Sequence, residues 1–336
     1  MVNNFWNTLP HPFFALAPIA DVTDAAFRRI IAKYGKPDIM WTEFVACDGL
    51  QSVGRENLMR DLSYMENERP IVAQVFGANP ENFKKTAELI RELGFDGIDI
   101  NMGCPEKNIE KQGAGASLIK NPTLAKEIIL ATMEGSKDMP VSIKTRIGYN
   151  KNELETWLPN LLQTKPSAIT IHARTRKEMS DVPARWQHIK RAVEIRDELK
   201  SKTLIIGNGD VKDLVDGREK TKETGADGIM IGRGIFGNPW LFSGRKDEPT
   251  LEEKCAVLLE HAFLFEEMFG KTNPFDSRDS LRVKNFSIMK KHFKAYIGGF
   301  NGAKELRIAL METESAEEVA RLLKNRKIEI FRRSCR

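Results

Sequence analysis

Polar side chains stand at the ends of short apolar runs through the first two thirds of the sequence. A polar residue in a buried strand is costly unless it has a partner, so each of these positions needs a specific reason. Seven successive runs each have a polar residue at or just beyond their C-terminal end. These residues are Glu43, Gln74, Asn101, Lys144, His172, Asn208 and Arg233. Together they predict a shared polar site at one end of a set of parallel strands.

The run VSIKTRIG predicts which way the side chain of Lys144 points. Side chains alternate along a strand, so Lys144 shares a face with Ser142 and Arg146. We expect this face to point inward. A buried cation needs an anionic partner, which is either a carboxylate or an anionic ligand.

Two glycine-rich turns close the last two runs, GNGDV from Gly207 and GRGIFG from Gly232. Backbone N–H groups in such turns can face a phosphate, and Arg233 would add a bidentate donor. The alternative is that these glycines only make tight turns. GAGAS at 113–117 has no strand directly before it, so it is not interpreted as a dinucleotide loop.

The fourth run ends in NMGCP, which puts Cys104 in the loop after a strand. Cysteine is often buried and inert, but this location favours a working thiol. The four cysteines, Cys47, Cys104, Cys255 and Cys335, show no CxxC or Cys/His metal spacing. The sequence therefore predicts neither a disulfide framework nor a metal site.

Alternating β-rich runs and helical segments must position these residues. Runs are predicted at Phe14–Pro18, Asp38–Glu43, Ile71–Phe76, Gly97–Asn101, Val141–Ile147, Ala168–His172, Thr203–Gly207 and Gly228–Ile231. Helices are predicted at Asp24–Tyr34, Glu81–Leu93, Pro122–Glu134, Glu153–Leu162, Trp186–Leu199 and Val211–Glu223. Eight such units predict an α/β fold, a (β/α)₈ TIM barrel. An open doubly wound sheet is the alternative.

The β-rich runs stop near Phe242, and a polar stretch follows. We predict a barrel domain at residues 1–243 and a small all-helical C-terminal domain at 244–336. Thr250–Met268 has apolar residues at helical spacing. Ser315 with Glu318 has the form of a capping box at the start of a further helix.

The formal net charge of +5 is too small to identify a partner, but basic residues cluster in the helical part. Between Leu281 and Arg307 there are seven basic residues, Arg282 among them, against one acid. On a helical wheel, Lys284, Lys291 and Lys294 lie largely opposite an apolar stripe formed by Phe286, Met289, Phe293, Tyr296 and Ile297. A solvated surface is the simple explanation; an RNA-backbone contact is the functional one.

Composition excludes several classes of protein. Hydrophobic residues make up 41% and charged residues 29%, which is typical of a folded globular chain. No apolar stretch approaches the roughly 20 residues that span a bilayer, and the start of the chain has no export signal. We expect a cytoplasmic protein without a membrane span. No feature points to an oligomeric state.

In order along the chain, the motifs resemble the tRNA-dihydrouridine synthase family. The matching segments are LAPIADVTDAAFR, TEFVACDGL, VAQVFGANPE, FDGIDINMGCPEKNIEKQGAGASLIKNP, VSIKTRIGY, TIHARTR, IGNGDV and GADGIMIGRGIFGNPW. NMGCP with its following loop is the most specific, and the chain looks like a bacterial-type member. The resemblance implies an FMN-dependent oxidoreductase that reduces particular uridines of tRNA to 5,6-dihydrouridine with NADPH as reductant.

The resemblance also implies residue roles, with hydride passing from flavin N5 to uracil C6 and a proton from Cys104 to C5. FMN would be held by Pro18, Ile19, Ala20, Gln74, Lys144 and His172, and its phosphate by Asn208, Gly209, Asp210, Gly232 and Arg233. Substrate contacts would come from Asn101, Arg174, Lys284, Lys291 and Lys294. Since a proton donor must keep its proton, we expect Cys104 to lie away from Lys144 and Arg174.

The chain departs from the family pattern at four places. Ile19 stands where methionine is common, Asp21 and Ala173 stand where glycine is common, and the ADW motif appears with Arg185 at its centre. None of these changes removes a catalytic group. Two other functions stay open: an FMN barrel acting on a small molecule, similar to a dihydroorotate or enone reductase, and a non-catalytic RNA-binding barrel.

Overall fold

The computed structural model describes residues 4–270 and 284–334, with side chains up to residue 325. Arg282 and Cys335 lie outside the described residues. Within them, nine parallel strands form one sheet: β1 (Phe13–Leu16), β2 (Met40–Trp41), β3 (Val45–Ala46), β4 (Ile71–Phe76), β5 (Gly97–Met102), β6 (Val141–Arg146), β7 (Ala168–His172), β8 (Leu204–Asn208) and β9 (Gly228–Ile231). Their order is β1-β9-β8-β7-β6-β5-β4-β2, with β3 also paired to β4.

The sheet closes into a barrel between β1 and the segment that leads into β2. Ala15 and Ile39 form a parallel bridge. Asp38 N donates to Phe14 O at 2.9 Å, and Leu16 N donates to Ile39 O at 3.2 Å. The closure confirms the predicted eight-unit barrel and excludes the open doubly wound sheet.

The second predicted run is interrupted, and a side-chain hydrogen bond explains why. Thr42 Oγ1 accepts a hydrogen bond from Gln74 N at 3.1 Å, in place of a backbone carbonyl, and donates to Glu43 O at 2.8 Å. The hydroxyl thus enters the ladder and separates β2 from β3. Of the predicted run Asp38–Glu43, only β2 forms a strand, and β3 lies beyond the end of the run.

Alternation along the strands gives the barrel an apolar interior beneath its polar mouth. The interior cluster is Trp6, Phe13, Ala15, Ala17, Ile39, Trp41, Val72, Ala168, Ile206 and Met230. At the N-terminal end, the Trp6 ring lies 5.8 Å from Phe13 and 6.2 Å from Trp41, measured between centroids.

Helices follow most strands. They are α1 (Ala25–Tyr34), α2 (Cys47–Leu50), α3 (Arg55–Met59), α4 (Pro80–Glu92), α5 (Lys107–Lys111), α6 (Pro122–Ser136), α7 (Leu154–Leu162), α8 (Gln187–Glu198), α9 (Leu214–Thr224), α10 (Leu251–Phe269), α11 (Met289–Tyr296), α12 (Ala303–Met311) and α13 (Ala316–Ser334). No helix in the described part of the chain is long and apolar enough to cross a membrane.

The chain forms two compact units. The first comprises Met1–Ala20 and Pro37–Gly234, and the second comprises Asp21–Lys36 and Ile235–Arg336. The second unit therefore includes α1, which lies between two barrel strands in the sequence. The predicted domain boundary at residue 243 stays a prediction.

Capping side chains begin three helices of the second unit, α1, α10 and α13. Asp24 Oδ1 accepts from Phe27 N at the start of α1. At α10, Thr250 and Glu253 exchange side-chain and backbone hydrogen bonds as a capping box. At α13, Ser315 Oγ accepts from Glu318 N as predicted, but the Glu318 carboxylate accepts from Glu314 N, one residue earlier than a capping box requires.

The predicted apolar stripe is the core of the second unit. Met289, Phe293, Tyr296 and Ile297 are all buried. The helical stretch predicted across 284–297 begins as a 3₁₀ turn at Phe286–Ile288 and continues as α11. It packs with α10, α12 and α13 around one shared apolar cluster.

Candidate active site

Five predicted residues lie near the C-terminal ends of neighbouring strands. Gln74 is on β4, Asn101 on β5, Lys144 on β6, His172 on β7 and Asn208 on β8. The strand register places Asn101 beside Lys144 and His172 beside Asn208. The sheet thus brings one polar residue from each of five successive strands to the mouth of the barrel.

Lys144 points into this mouth. Its Nζ donates to Asn208 Oδ1 at 3.3 Å, and Asn208 Nδ2 donates to Met230 O at 2.8 Å. Burial, together with the Arg146 charge, lowers the pKa of Lys144 to about 8. The amine is therefore charged at neutral pH, but only by a narrow margin.

Asp99 supplies the anionic group that Lys144 was expected to need. Its two carboxylate oxygens accept from Gln74 Nε2 at 2.7 Å and from Ser142 Oγ at 2.6 Å. Burial raises the pKa of Asp99 to about 6, although both hydrogen bonds and the Lys144 charge oppose the rise. The strand-end pattern overlooks Asp99; alternation in GIDIN, which puts it two residues before Asn101, could have found it.

The Cys104 loop is held by Asn101 and by the glycine-rich segment. Asn101 Oδ1 accepts from Gly103 N at 3.1 Å and from Cys104 N at 2.9 Å. Ala116 N donates to Cys104 O at 2.9 Å. A Cβ at Gly115 would lie 2.7 Å from the same oxygen, and its φ of +62° favours glycine. The segment GAGAS therefore supports the cysteine loop.

The Cys104 thiol keeps its proton at neutral pH. Burial raises the thiol's pKa, which outweighs the lowering by the Glu106 N–H and by the positive charges of Arg146 and Lys144. The charge of Lys144 acts on the thiol, and the separation of Cys104 from Lys144 and Arg174 stays a prediction. The protonated state expected of a proton donor is present nonetheless.

Arg146 joins two loops of the mouth. Its Nε donates to Gly103 O at 2.8 Å, and its Nη1 donates to Thr175 O at 3.1 Å and Met179 O at 3.0 Å. Burial lowers its pKa to about 10. The alternation of VSIKTRIG had placed Arg146 on the inward face, but the strand-end pattern did not include it.

Arg174 organises the opposite side of the mouth. Its side chain is 2% exposed and donates to His172 Nε2 at 3.0 Å, to Val182 O at 2.5 Å and to the Asp210 carboxylate. Burial and the surrounding cations lower the pKa of His172 well below its ordinary value. His172 is therefore neutral, and the bond at Nε2 leaves its proton on Nδ1.

The two glycine-rich turns meet at Asp210. Its carboxylate accepts from Arg174, from Arg233 at 2.6 Å and from Ala184 N at 2.8 Å, and these partners lower its pKa although burial alone would raise it. Gly209 and Asp210 have φ of +123° and +51°. Because a carboxylate repels phosphate, only the backbone of Asp210 suits the predicted phosphate contact.

The turn after β1 lies beside the last glycine turn. A Cβ at Gly232 would stand 3.7 Å from Ala17 Cβ and 3.7 Å from Ile19 Cδ1. Pro18 and Ile19 are half-buried, and Ala20 is exposed. The segment predicted to line the cofactor therefore borders the residues predicted to hold its phosphate.

The three predicted tRNA-binding lysines belong to the second unit. Lys291 and Lys294 are exposed on α11, and Lys291 Nζ lies 3.5 Å from Asp21 Oδ2. Lys284 is half-buried, with its Nζ 4.9 Å from the centroid of the Phe269 ring. Asp21, which stands where the family pattern has glycine, adopts a φ of +54°.

Fold and site together define a parallel βα barrel with a polar mouth and a protonated thiol. A mutant of morphinone reductase in complex with tetrahydroNAD has the same fold, with a TM-score of 0.51 and 13% identity over 74% of this chain and 92% of that one. Histamine dehydrogenase from Rhizobium sp. 4-9 has the same fold, with a TM-score of 0.51 and 12% identity over 75% of this chain and 48% of that one.

Residues 15–333 match the family model described as dihydrouridine synthase. A "Probable tRNA-dihydrouridine synthase" of Staphylococcus aureus (strain MRSA252) is 41% identical over 96% of this chain and 95% of that protein. The "Probable tRNA-dihydrouridine synthase 2" of Bacillus subtilis (strain 168) is 41% identical over 96% of both. The chain belongs to the dihydrouridine synthase family and is an oxidoreductase, which confirms the resemblance seen in the motifs.

Proposed function

We propose that this chain reduces specific uridines of tRNA to 5,6-dihydrouridine, with FMN as cofactor and NADPH as reductant. The observation that carries the proposal is the position of Cys104 in the loop after β5, where Asn101 holds its backbone at the polar mouth. Burial raises the pKa of its thiol, which suits a proton donor. The relatives' names support tRNA as the substrate. Because tRNA is the substrate, we propose the cytoplasm as the location.

The residues at the mouth fit a flavin. Thr170 Oγ1, next to Lys144 in the register, is buried and has no hydrogen-bond partner among the described residues. Lys144 and His172 would bind the ring system, and Pro18–Ala20 would contact it by backbone. Gln74 is bonded to Asp99 and Asn101, so it would contact the ring only through the hydrogen-bonding capacity that these bonds leave. The phosphate would meet Asn208, Gly232, Arg233 and the backbone of Gly209 and Asp210. When bound, FMN supplies the hydride for uracil C6 and is recharged by NADPH.

Cys104 supplies the second hydrogen. Saturating the C5–C6 bond requires a proton at C5 as well as the hydride at C6, and the raised pKa keeps that proton on sulfur until C5 accepts it. The thiolate left behind regains a proton from water. Arg146, which holds the carbonyl of Gly103, keeps the loop in place during the transfer.

Asn101 and Arg174 are proposed as substrate contacts with a qualification from the geometry. Both side chains already bind protein groups: Asn101 binds the cysteine loop and Gln74, and Arg174 binds His172 and Asp210. Their first task is to hold the mouth in shape. A uridine would meet them only through whatever hydrogen-bonding capacity these contacts leave.

The helical unit is proposed to bind the tRNA backbone, with residues 1–243 as the catalytic domain and 244–336 as the tRNA-binding domain. Lys291 and Lys294 are exposed, and the opposite face of α11 is core. Extrusion of the target base costs a few kcal/mol, and phosphate contacts offset it. A reductase of small molecules would not need this surface.

Mass spectrometry of nucleosides tests the proposal. We expect the yellow protein, given NADPH and unmodified tRNA, to form dihydrouridine. Cys104→Ala should retain flavin and lose turnover by about 100-fold or more, since a general acid contributes that much. Cys255→Ala, in the helical unit, is the matched control and should keep turnover.

Two results would contradict the proposal. If the protein reduces a cyclic enone or a dihydroorotate-like compound but never tRNA, the small-molecule reductase is the correct class. If it binds tRNA without flavin and Cys104→Ala changes nothing, the barrel is a binding module.

A further inference from the structure

A line of side-chain hydrogen bonds runs from Asp99 to the cysteine loop. Asp99 Oδ2 accepts from Gln74 Nε2 at 2.7 Å, and Gln74 Oε1 accepts from Asn101 Nδ2 at 3.0 Å. Asn101 Oδ1 then accepts from the backbone N–H groups of Gly103 and Cys104 at 3.1 and 2.9 Å. Three side chains on two strands thus link a buried charge to the loop that carries the thiol.

The direction of every bond in this line is fixed by its two ends. A backbone N–H can only donate, so Asn101 must turn its oxygen to the loop and its NH₂ group to Gln74. Gln74 must then offer its oxygen to Asn101, which leaves its own NH₂ group facing Asp99. A carboxylate only accepts, so Asp99 completes the line in the one orientation that the loop requires.

Burial makes this orientation costly to lose. Asp99 and Gln74 are fully buried and Asn101 is 6% exposed, so bulk water cannot replace a missing partner. The other oxygen of Asp99 accepts from Ser142, which is also buried. The carboxylate is therefore satisfied on both sides and has one fixed position.

We infer that Asp99 is a positioning residue for Cys104. It orients the amides of Gln74 and Asn101, and these hold the Cys104 loop where the thiol is half-buried and protonated. The inference rests on the proposed function only in saying why Cys104 is positioned, namely to deliver a proton. The placement of the loop can be measured without any reaction.

The charge of Asp99 also acts on Lys144, and this charge effect depends on a different property of the carboxylate from positioning. Lys144 Nζ donates to Asn208, while the Asp99 carboxylate accepts from Gln74 and Ser142. A counter-ion role depends on the charge of Asp99. A positioning role depends on an acceptor oxygen that faces Gln74.

Two substitutions separate charge from acceptor. Asp99→Asn removes the charge but keeps an oxygen for Gln74, with Ser142 accepting from the new NH₂ group. Asp99→Leu removes both in a similar volume. The measurement is the rate at which iodoacetamide alkylates Cys104 in the purified flavoprotein, followed by peptide mass spectrometry from pH 6 to 10.

We expect Asp99→Leu to alkylate about tenfold faster near pH 8, because the loop loses a buried hydrogen-bond anchor and the thiol's exposure increases. Its apparent thiol pKa should fall toward the ordinary value, since burial is what raises it. Asp99→Asn should stay within about twofold of wild type in rate. Ser142→Ala, which breaks only the bond on the far side of the carboxylate, is the matched control and should also stay within about twofold.

Gln74→Met provides the second variant if Asp99→Leu does not fold. It removes the acceptor for Asn101 and should accelerate alkylation in the same direction. Thermal melting identifies variants that have lost the fold. Alkylation of flavin-free wild-type protein, run in parallel, measures how much acceleration comes from lost flavin alone. Equal acceleration in Asp99→Asn and Asp99→Leu would assign Asp99 to charge balance, and wild-type rates in Asp99→Leu and Gln74→Met would overturn the inference.

The alkylation test and the tRNA test fail separately. If wild-type protein forms no dihydrouridine, the proposed function is wrong while the alkylation pattern still decides the role of Asp99. If wild-type protein forms dihydrouridine and alkylation is insensitive to Asp99→Leu, the inference fails and the function stands.

Discussion

His261 and His292 lie against each other inside the helical unit, with ring centroids 4.5 Å apart. Phe27 packs on both rings. Among the described residues, neither ring has a hydrogen-bond partner for its nitrogens. Burial lowers the pKa of both, that of His292 to about 3. The two rings are therefore neutral in the folded unit near neutral pH.

This pair predicts a loss of stability in mild acid. The unfolded chain binds protons at these histidines near pH 6.5 and the folded unit does not, so the free energy of unfolding falls as pH drops below 6.5. Each ring adds a slope of up to about 1.4 kcal/mol per pH unit. Urea unfolding of wild type and His292→Phe between pH 5 and 7.5 measures it.

His292→Phe should have the shallower pH dependence, because one buried imidazole no longer takes up a proton on unfolding. His261→Phe should act in the same direction. Parallel curves for wild type and both variants would mean that the pair does not control acid stability.

At the scale of residues, the sequence predicted which side chains gather but not what they bind. Position at the end of a predicted strand located Lys144 and His172 at the mouth, and the strand period gave the inward direction of Lys144. The partners of Arg174 could not be predicted, since Val182 and Asp210 are eight and 36 positions away and meet it only through the fold. The same holds for Arg185, in the altered ADW motif, whose charge is balanced by Glu178.

Strand β8 and the start of α8 are joined through one glycine. A Cβ at Gly207 would lie 2.3 Å from the Trp186 ring, and Trp186 Nε1 donates to Gly209 O at 2.9 Å. The indole thus occupies the space that a side chain on β8 would fill. It also fixes the backbone of the turn proposed to bind phosphate.

Gly207→Ala should destabilise the protein by about 1–3 kcal/mol, because the added methyl group overlaps the ring and must displace it. Chemical unfolding of the flavin-free protein measures the change, so that altered cofactor binding does not contribute. Gly232→Ala is the matched control: its methyl group would meet Ala17 and Ile19 at ordinary contact distance, so stability should change by less than about 0.5 kcal/mol. Equal stability of the two variants would show that Trp186 yields without cost.

At the scale of elements, the sequence predicted the type and order of the barrel strands and their helices. The periods of strand and helix carry that information directly. The early end of β2 and the separate strand β3 were not predicted, because they depend on the hydroxyl of Thr42 bonding a residue 32 positions away. A hydrogen bond between a side chain and a strand backbone cannot be predicted from the hydrophobic pattern of the sequence.

Across the whole molecule, the basic face of α11 predicts a salt-dependent interaction. Lys291→Gln with Lys294→Gln should raise the KM for tRNA and flatten the salt dependence of affinity, by about one to two in the slope of log K against log salt. Flavin absorbance should not change. Lys291 remains available for phosphate because its contact with Asp21 is exposed and weak.

The matched control for this pair is Lys165→Gln with Lys200→Gln. Both lysines are exposed, and the two substitutions remove the same charge. The lysines precede β7 and β8 at the N-terminal end of the barrel. Their removal should leave the KM within about twofold. If both pairs weaken tRNA binding equally, the effect comes from net charge and not from a defined surface.

The grouping of α1 with the C-terminal helices has a consequence for how the polypeptide can be divided. Ala25, Ala26 and Ile30 belong to the same apolar cluster as Leu258 and Phe293. In a fragment that ends at residue 243, α1 would expose apolar side chains that the C-terminal helices normally cover. The C-terminal fragment would in turn lack the part of its core that α1 supplies. Each fragment would expose apolar surface that is buried in the intact chain. Fragments divided at residue 243 should therefore aggregate more than the intact chain does.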